Sequence, residues 1–199
     1  ITLHLGTAPD GASVSWLMSD PTGRPVHGLV VGPCGSGGST ALAHLAASAR
    51  AAGIHPIVVL LGRGTGYHDS AWARAPWGTS FCTDADELAR DLDQVLGQLG
   101  PSPAPRLVLV DGSPSLHATP GQWAALLRQA DRLQFCVVAR VYRPGREDLG
   151  GEEVRSRLTV DGQYLALGRP SGASSALMRD QLPGYTPPAY RPMPGRGVY

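Results

Sequence analysis

Lysine is absent from this 199-residue sequence, so all 17 of its basic residues are arginines. The 16 acidic residues almost balance them, and the net charge of +1 gives no overall field that would favour nucleic acid or a membrane surface. Apolar runs are also short, and none reaches the roughly 18 residues that a membrane-spanning helix requires. We therefore expect a globular, cytoplasmic protein that does not insert into a membrane through this segment.

Cysteine is scarce as well. The three cysteines, Cys34, Cys82 and Cys136, are odd in number and far apart. This argues against a disulfide framework or a paired-cysteine metal site and favours a reducing compartment. The six histidines show no spacing typical of metal ligands. The first residue is isoleucine rather than methionine, so we expect the chain to be a piece of a longer protein.

Glycine and proline are abundant, with 26 and 18 residues, and they divide the chain into short elements. Four apolar runs predict buried strands: Gly28–Val31, Pro56–Leu61, Leu107–Val110 and Phe135–Val141. Segments with helical spacing lie between them: Ala41–Ala52, Asp84–Leu99 and Gln122–Ala130. Strands that alternate with helices predict an α/β fold with a mostly parallel sheet and helices on both faces.

The two ends of the chain have different patterns. Residues 2–18 alternate apolar and polar on both sides of a Pro-Asp-Gly turn, which predicts an N-terminal β-hairpin. Near the other end, Arg155–Thr159 and Gln163–Leu167 are expected to form a further pair of strands. Residues 182–199 are rich in proline and are expected to form an extended tail after a domain that covers residues 1–181.

A glycine-rich segment at 27–40, HGLVVGPCGSGGST, joins the first buried strand to the first helix. Strand, glycine loop and helix form the arrangement that cradles phosphate groups with backbone N–H donors and the helix dipole. The pattern G-x-x-x-x-G-K-[ST] is met by Gly32, Gly37 and Ser39, but Gly38 stands where the pattern has lysine. Two interpretations stay open: a loop that binds nucleotide without turnover, and a vestigial loop whose glycines serve only the turn.

Polar residues also follow the ends of two other buried strands. Asp111 follows one apolar run, and Arg143 follows the last one. Because ligands of parallel sheets bind at the carboxyl ends of the strands, we expect both residues on the same edge as the glycine loop. Asp111 would then either help to hold Mg²⁺ or only cap its own loop. Ser39 or Thr40 is expected to cap the helix after the glycine loop.

Three arginines, Arg140, Arg143 and Arg146, are spaced three apart near the end of the last run. We expect them just beyond that strand, either as a solvated basic turn or as a group that contacts phosphate. Trp72 and Trp77 stand in a long glycine-rich loop. They are expected either to bind a partner or to form a small core under that loop.

The order of these motifs resembles that of the FtsK/SpoIIIE-like motor domains, which are RecA-like P-loop ATPases. Relatives include the TraB-type conjugation translocases and the EccC motors of type VII secretion. The hairpin block matches at Leu5-Gly6, Gly11, Val14 and Trp16. The loop block matches at residues 27–32, 35–37 and 39. The third and fourth blocks correspond to Leu107–Asp111 and to Val137–Pro144.

The resemblance implies a RecA-like P-loop three-layer sandwich that binds ATP and Mg²⁺. The implied nucleotide-binding residues are Gly32, Gly35, Ser36, Gly37, Gly38, Ser39 and Thr40. Ser39 and Asp111 would hold Mg²⁺, with Asp111 in the place of the acidic residue at the strand end. Tyr142 and Arg143 take the place of the residues that sense the γ-phosphate.

Three residues depart from the family pattern. Gly38 replaces the lysine that holds the phosphates, Gly112 replaces the acidic residue that polarises water, and Tyr142 replaces a glutamine. Each electrostatic group of this kind is worth about 10²–10³ in rate, so their joint loss costs several orders of magnitude. No lysine elsewhere in the chain can compensate. We therefore expect no hydrolysis, and weak or absent binding of ATP and Mg²⁺.

The function that the resemblance implies is that of a degenerate domain in a larger translocase. It would act in assembly, regulation or substrate recognition in type VII secretion, as the cytoplasmic part of a membrane-anchored motor. Its expected partners are other motor domains or subunits of the same translocase, and a protein substrate or signal peptide. Two alternatives stay open: a DNA translocase domain that binds ATP and duplex DNA as a ring oligomer, and a purely structural subunit.

Overall fold

The described part of the chain contains nine strands and four helices in a computed structural model. It comprises residues 1–7, 10–60, 79–81, 106–112, 120–168, 172–182, 184 and 197–198. The strands are β1 (Thr2–Thr7), β2 (Ser13–Leu17), β3 (Gly28–Val31), β4 (Pro56–Leu60), β5 (Thr79–Phe81), β6 (Arg106–Asp111), β7 (Phe135–Val141), β8 (Gln163–Leu167) and β9 (Gly197–Val198). The helices are α1 (Gly38–Ala51), α2 (Pro120–Leu133), α3 (Glu152–Thr159) and α4 (Gly172–Gln181). The predicted helix at 84–99, Trp72, Trp77, Cys82 and most of the proline-rich tail lie outside the described residues.

Seven strands form one sheet in the order β5-β4-β6-β7-β3-β8-β9. Every neighbouring pair is parallel except β8 and β9 at the edge. The four predicted apolar strands are β3, β4, β6 and β7, and each ends within one residue of its expected bounds. They lie inside the sheet, where both faces are covered, which is why their sequences are almost wholly apolar.

Helices cover both faces of the sheet because successive side chains of a strand point to opposite sides. On one face, Leu42 and Leu45 of α1 pack with side chains of β3, β6 and β7. On the other face, Trp123 and Leu126 of α2 pack with the alternate residues of the same strands. The fold is therefore the predicted three-layer α/β sandwich. None of the described helices is long and apolar enough to cross a membrane.

The predicted N-terminal hairpin is present, since β1 and β2 pair antiparallel. It packs on the α1 side of the sheet through the buried Leu3 and Trp16. Gln163 of β8 ties it down, because its side chain accepts a hydrogen bond from the Leu17 N–H at 3.0 Å and donates one to the Leu17 carbonyl. The hairpin is thus fastened to the sheet by a polar contact as well as by apolar packing.

One predicted element is wrong. The segment Arg155–Thr159, expected as a strand, belongs to α3. Val154 and Leu158 are four residues apart and both buried, and two glutamates in the first turn suit the helix dipole. β8 is a strand as expected, but it pairs parallel with β3 instead of with the segment Arg155–Thr159.

Candidate functional site

The glycine loop follows β3 at the edge where the carboxyl ends of the parallel strands meet. Gly37 is the N-cap residue of α1 and has φ 94°, a left-handed conformation that favours glycine. Helix α1 therefore begins at Gly38, and the expected cap by Ser39 or Thr40 is wrong. Both hydroxyls already lie in the first turn, whereas a capping side chain belongs to the residue before the helix.

The order of the strands places β7 between the glycine-loop strand β3 and the Asp111 strand β6. Val30 of β3 lies opposite Arg140 of β7, and Leu109 of β6 lies opposite Val138. Because side chains alternate along a strand, Arg140 is on the same face as Val138, the face that α1 covers. Arg140 is therefore positioned between the start of α1 and Asp111.

Arg140 and Asp111 form a buried ion pair. Nη1 of Arg140 donates a hydrogen bond to Oδ1 of Asp111 at 3.0 Å. The side chain of Asp111 has no exposed surface, and that of Arg140 is 11% exposed. Cζ of Arg140 also lies 4.9 Å from the centroid of the Tyr142 ring, within the range of a cation–π contact.

The pair keeps the arginine charged. Burial acts to lower the pKa of Arg140, but the charge of Asp111 and the hydrogen bond to it raise this pKa above its ordinary value. The phenol of Tyr142 acts in the same direction. The site therefore contains a permanent positive charge, and that charge is directed at a carboxylate of the same chain.

The Arg140 side chain also fills the space beside Gly38. A Cβ atom on Gly38 would lie 2.4 Å from Nε and 2.8 Å from Cδ of Arg140. Both distances are far shorter than the 3.5–4.0 Å, roughly, at which carbon atoms make favourable contact. Gly38 is the first helical residue of α1, so its backbone does not demand glycine. A side chain at this position would therefore displace Arg140 from its place in the structure.

Comparison with known proteins finds relatives among solved structures only. No family model and no curated protein matches the sequence. Thermomonospora curvata EccC (ATPases 2 and 3), in complex with a signal sequence peptide, aligns with a TM-score of 0.65 at 17% identity, over 98% of this chain and 38% of that one. The cytoplasmic domain of EssC aligns with a TM-score of 0.63 at 18% identity, over 98% and 39%. The pCW3 conjugation coupling protein TcpA, in a monomer form with ATPγS, aligns at 0.59 and 12% identity, over 88% and 56%.

The chain has the fold of an FtsK/SpoIIIE-like motor domain. It spans less than two-thirds of the length of each of these three solved chains. The resemblance predicted from the motifs is thus confirmed at the level of the fold.

The predicted nucleotide-binding residues of the glycine loop differ in exposure. Gly35 and Thr40 are exposed, Gly37 and Ser39 are partly buried, and Gly32, Ser36 and Gly38 are buried. The Ser36 hydroxyl is turned inward, since a Cβ on Gly32 would lie 2.5 Å from its Oγ. In the described part of the chain this hydroxyl has no hydrogen-bond partner.

The Mg²⁺ ion that the motor fold implies does not fit the carboxylate that would hold it. Mg²⁺ is held by negatively charged or neutral oxygen ligands, but the carboxylate of Asp111 is already bound by a guanidinium. Within the described ranges, no group of three or more His, Cys, Asp or Glu side chains could hold a metal ion. The space from which a side chain at Gly38 would start is filled by Arg140.

The three arginines of the last run do not form one group. Arg140 belongs to β7 and is buried, so the expectation that it lies beyond the strand is wrong. Arg143 and Arg146 are on the exposed turn that follows, where Nη2 of Arg143 lies 3.4 Å from Oδ1 of Asp148. A usable signal was in the sequence: Arg140 is two residues after Val138, so alternation places both on one buried face.

Proposed function

We propose that this chain is a domain of a larger translocase that does not hydrolyse ATP and that acts in assembly, regulation or substrate recognition in type VII secretion. Its likeness in fold to EccC and to the cytoplasmic domain of EssC supports this proposal. The EccC structure contains a signal sequence peptide. We therefore extend the proposal to two kinds of partner in the cytoplasm: other motor domains of the same translocase, and a protein that carries a signal peptide.

The Arg140–Asp111 ion pair is the observation that carries the proposal. Phosphoryl transfer needs cationic groups on the phosphates, a bound metal ion and a residue that positions the nucleophile. Here the cation at the site is bound to the carboxylate, and Gly112 and Tyr142 replace the acid and the glutamine of the family pattern. Each missing electrostatic group costs about 10²–10³ in rate, so turnover should fall to the background.

An ATPase assay on the purified chain tests the proposal. At saturating Mg²⁺-ATP we expect no ATPase activity in the gel-filtration fractions that contain the protein. Activity that elutes in other fractions would come from a contaminating ATPase. In a parallel calorimetric titration we expect no binding of Mg²⁺-ATP up to about 1 mM, a concentration that corresponds to about −4 kcal/mol. Turnover near 1 s⁻¹ or above, roughly the lower end of ordinary enzymes, would overturn the proposal.

A DNA translocase domain is the second candidate, because the chain also shares its fold with the conjugation coupling protein TcpA. The surface charges give this candidate little support. Three arginines are paired with carboxylates, as Arg128–Glu153, Arg143–Asp148 and Arg155–Glu152. Such pairs leave only a small positive field for a phosphate backbone.

Titration of a labelled duplex with the chain at about 50 mM and about 200 mM salt separates the two candidates. A DNA-handling domain would bind at the lower salt and lose about 10³–10⁵ in affinity at the higher one. The secretion proposal predicts no binding at either concentration. If the chain binds neither nucleotide nor DNA, pull-down with the neighbouring motor domains distinguishes a regulatory domain from an inert structural one.

A further inference from the structure

The residues at positions 38 and 140 share one volume. Nε, Cδ and Cγ of Arg140 lie 2.4, 2.8 and 3.2 Å from the place where a Cβ of residue 38 would be. With Arg140 in this conformation, position 38 therefore has no room for a side chain. In the sequence pattern of the motor family the long cationic side chain belongs to the helix, as lysine, whereas here it belongs to the neighbouring strand, as Arg140.

The move from helix to strand changes what the cation contacts. Arg140 reaches Asp111, whose carboxylate is completely buried and is compensated by the charge of the guanidinium. Nε of Arg140 is also buried and has no hydrogen-bond partner among the described residues. The guanidinium thus lies between the start of α1 and the end of β6, and it neutralises the acid from within the chain.

We infer that Arg140 is an internal substitute for the lysine and the metal ion together, and that it closes the site. The inference rests on the proposed function and explains how the fold holds a P-loop without a ligand. The ion pair links β7 to β6, and the arginine stem supports the first turn of α1. Positions 38 and 140 are consequently coupled: either change alone damages the protein, and both changes together open the site.

Four proteins test this coupling: the unchanged chain, Gly38→Lys, Arg140→Ala, and the double variant. Gly38→Lys forces a side chain into the arginine, and Arg140→Ala removes the guanidinium from the buried carboxylate of Asp111, so each should lower Tm by on the order of 10 °C. The double variant returns one cation to the same volume. Its Tm should lie well above the value that the sum of the two single losses predicts.

Binding of Mg²⁺-ATPγS, measured by calorimetry, is the second readout. The unchanged chain and both single variants should show no binding up to about 1 mM, and the double variant should bind at least about tenfold more tightly. Arg128→Ala, which removes an exposed arginine from the surface of α2, should change neither readout. If the lysine variants do not fold, Gly38→Ala alone and in the Arg140→Ala background gives the same test of coupling from Tm.

Strictly additive Tm changes would overturn the inference, because residues that share a volume cannot act independently. So would nucleotide binding by the unchanged chain that Arg140→Ala abolishes, since Arg140 would then hold phosphate instead of closing the site. Nucleotide hydrolysis by the unchanged chain would overturn the proposed function instead. Coupled Tm values together with a double variant that still binds no nucleotide would contradict only the claim that both changes open the site.

Discussion

Arg140 of β7 and Asp111 of β6 meet inside the protein, with Nη1 and Oδ1 3.0 Å apart and the carboxylate wholly buried. Neither residue belongs to the glycine loop, yet the same arginine stands directly beside Gly38 at the start of α1. One side chain therefore connects the loop, the central strands and the acid. Its contribution to stability can be measured separately from any binding of nucleotide.

Loss of the buried arginine should destabilise the protein strongly. Arg140→Ala removes the guanidinium that pairs with the buried Asp111 carboxylate, and breaking such a pair costs about 3–5 kcal/mol of unfolding free energy. Arg143→Ala is the matched control, because its partner Asp148 lies at the surface and such pairs contribute about 0–1 kcal/mol. Urea denaturation monitored by circular dichroism measures the loss of unfolding free energy in both variants. Equal, small losses would mean that the buried pair is not essential to the fold.

Replacement of both partners should cost far less than replacement of one. In Asp111→Leu with Arg140→Leu no charge remains buried, and apolar pairs of similar volume often match the stability of the ion pair they replace. We expect most of the stability lost in Arg140→Ala to return in this double variant. A double variant as unstable as the single one would indicate that packing against Gly38, and not charge, dominates at this position.

A methyl group should have opposite effects at two helix starts. Gly121, in the first turn of α2, has no atom within 4 Å of a Cβ position, so Gly121→Ala should stabilise the protein by up to about 1 kcal/mol. Gly38→Ala places its Cβ against Arg140 and should destabilise it by about 1–3 kcal/mol. Thermal unfolding of the two variants gives the sign directly. A stabilising Gly38→Ala would show that the arginine can move aside at no cost.

The cysteines should differ sharply in reactivity. Cys34 is exposed, whereas Cys136 is buried and its thiol donates a hydrogen bond to the Val26 carbonyl at 2.8 Å. In a Cys82→Ser background, iodoacetamide should label Cys34 in the folded protein and Cys136 only after unfolding. Mass spectrometry of the labelled peptides measures the extent of labelling at each cysteine. Rapid labelling of both would mean that β7 opens frequently.

Burial of Cys136 should also make the fold sensitive to alkali. Burial raises the pKa of this thiol from 9.0 to about 12. The unfolded thiol therefore loses its proton first as pH rises above 9.0, and stability should fall by up to about 1.4 kcal/mol per pH unit up to about pH 12. Cys136→Ala removes this contribution, so the difference in pH slope between the two proteins isolates it. Parallel slopes would contradict the prediction.

The two hydrogen bonds between Gln163 and Leu17, which hold the hairpin to the sheet, can be tested by changing Gln163. Gln163→Glu keeps the shape but replaces the amide N–H that faces the Leu17 carbonyl with an acceptor, at a cost of about 1–3 kcal/mol. Hydrogen exchange at the Leu17 amide should become faster, while amides within β6 stay protected. Unchanged exchange at Leu17 would mean that the hydrogen bond donated to the Leu17 carbonyl is not needed to hold the hairpin.

Much of the fold could be predicted because its signals are local. The strands inside a parallel sheet are apolar at nearly every position, so β3, β4, β6 and β7 were recognisable within one residue. Helix α3 was not, because only Val154 and Leu158 mark its buried side and such short patterns do not distinguish helix from strand. The cap of α1 was misplaced because the left-handed conformation of Gly37 lets the helix start one residue before Ser39.

The sequence by itself determined that this protein has a phosphate-loop pattern with glycine for lysine and no lysine anywhere to replace it. Only the tertiary structure decided what stands there instead. Arg140 reaches Gly38 and Asp111 because β7 lies between β3 and β6. The order of strands in a parallel sheet is set by long-range pairing and helix packing, and neither leaves a mark in the residues around the arginine.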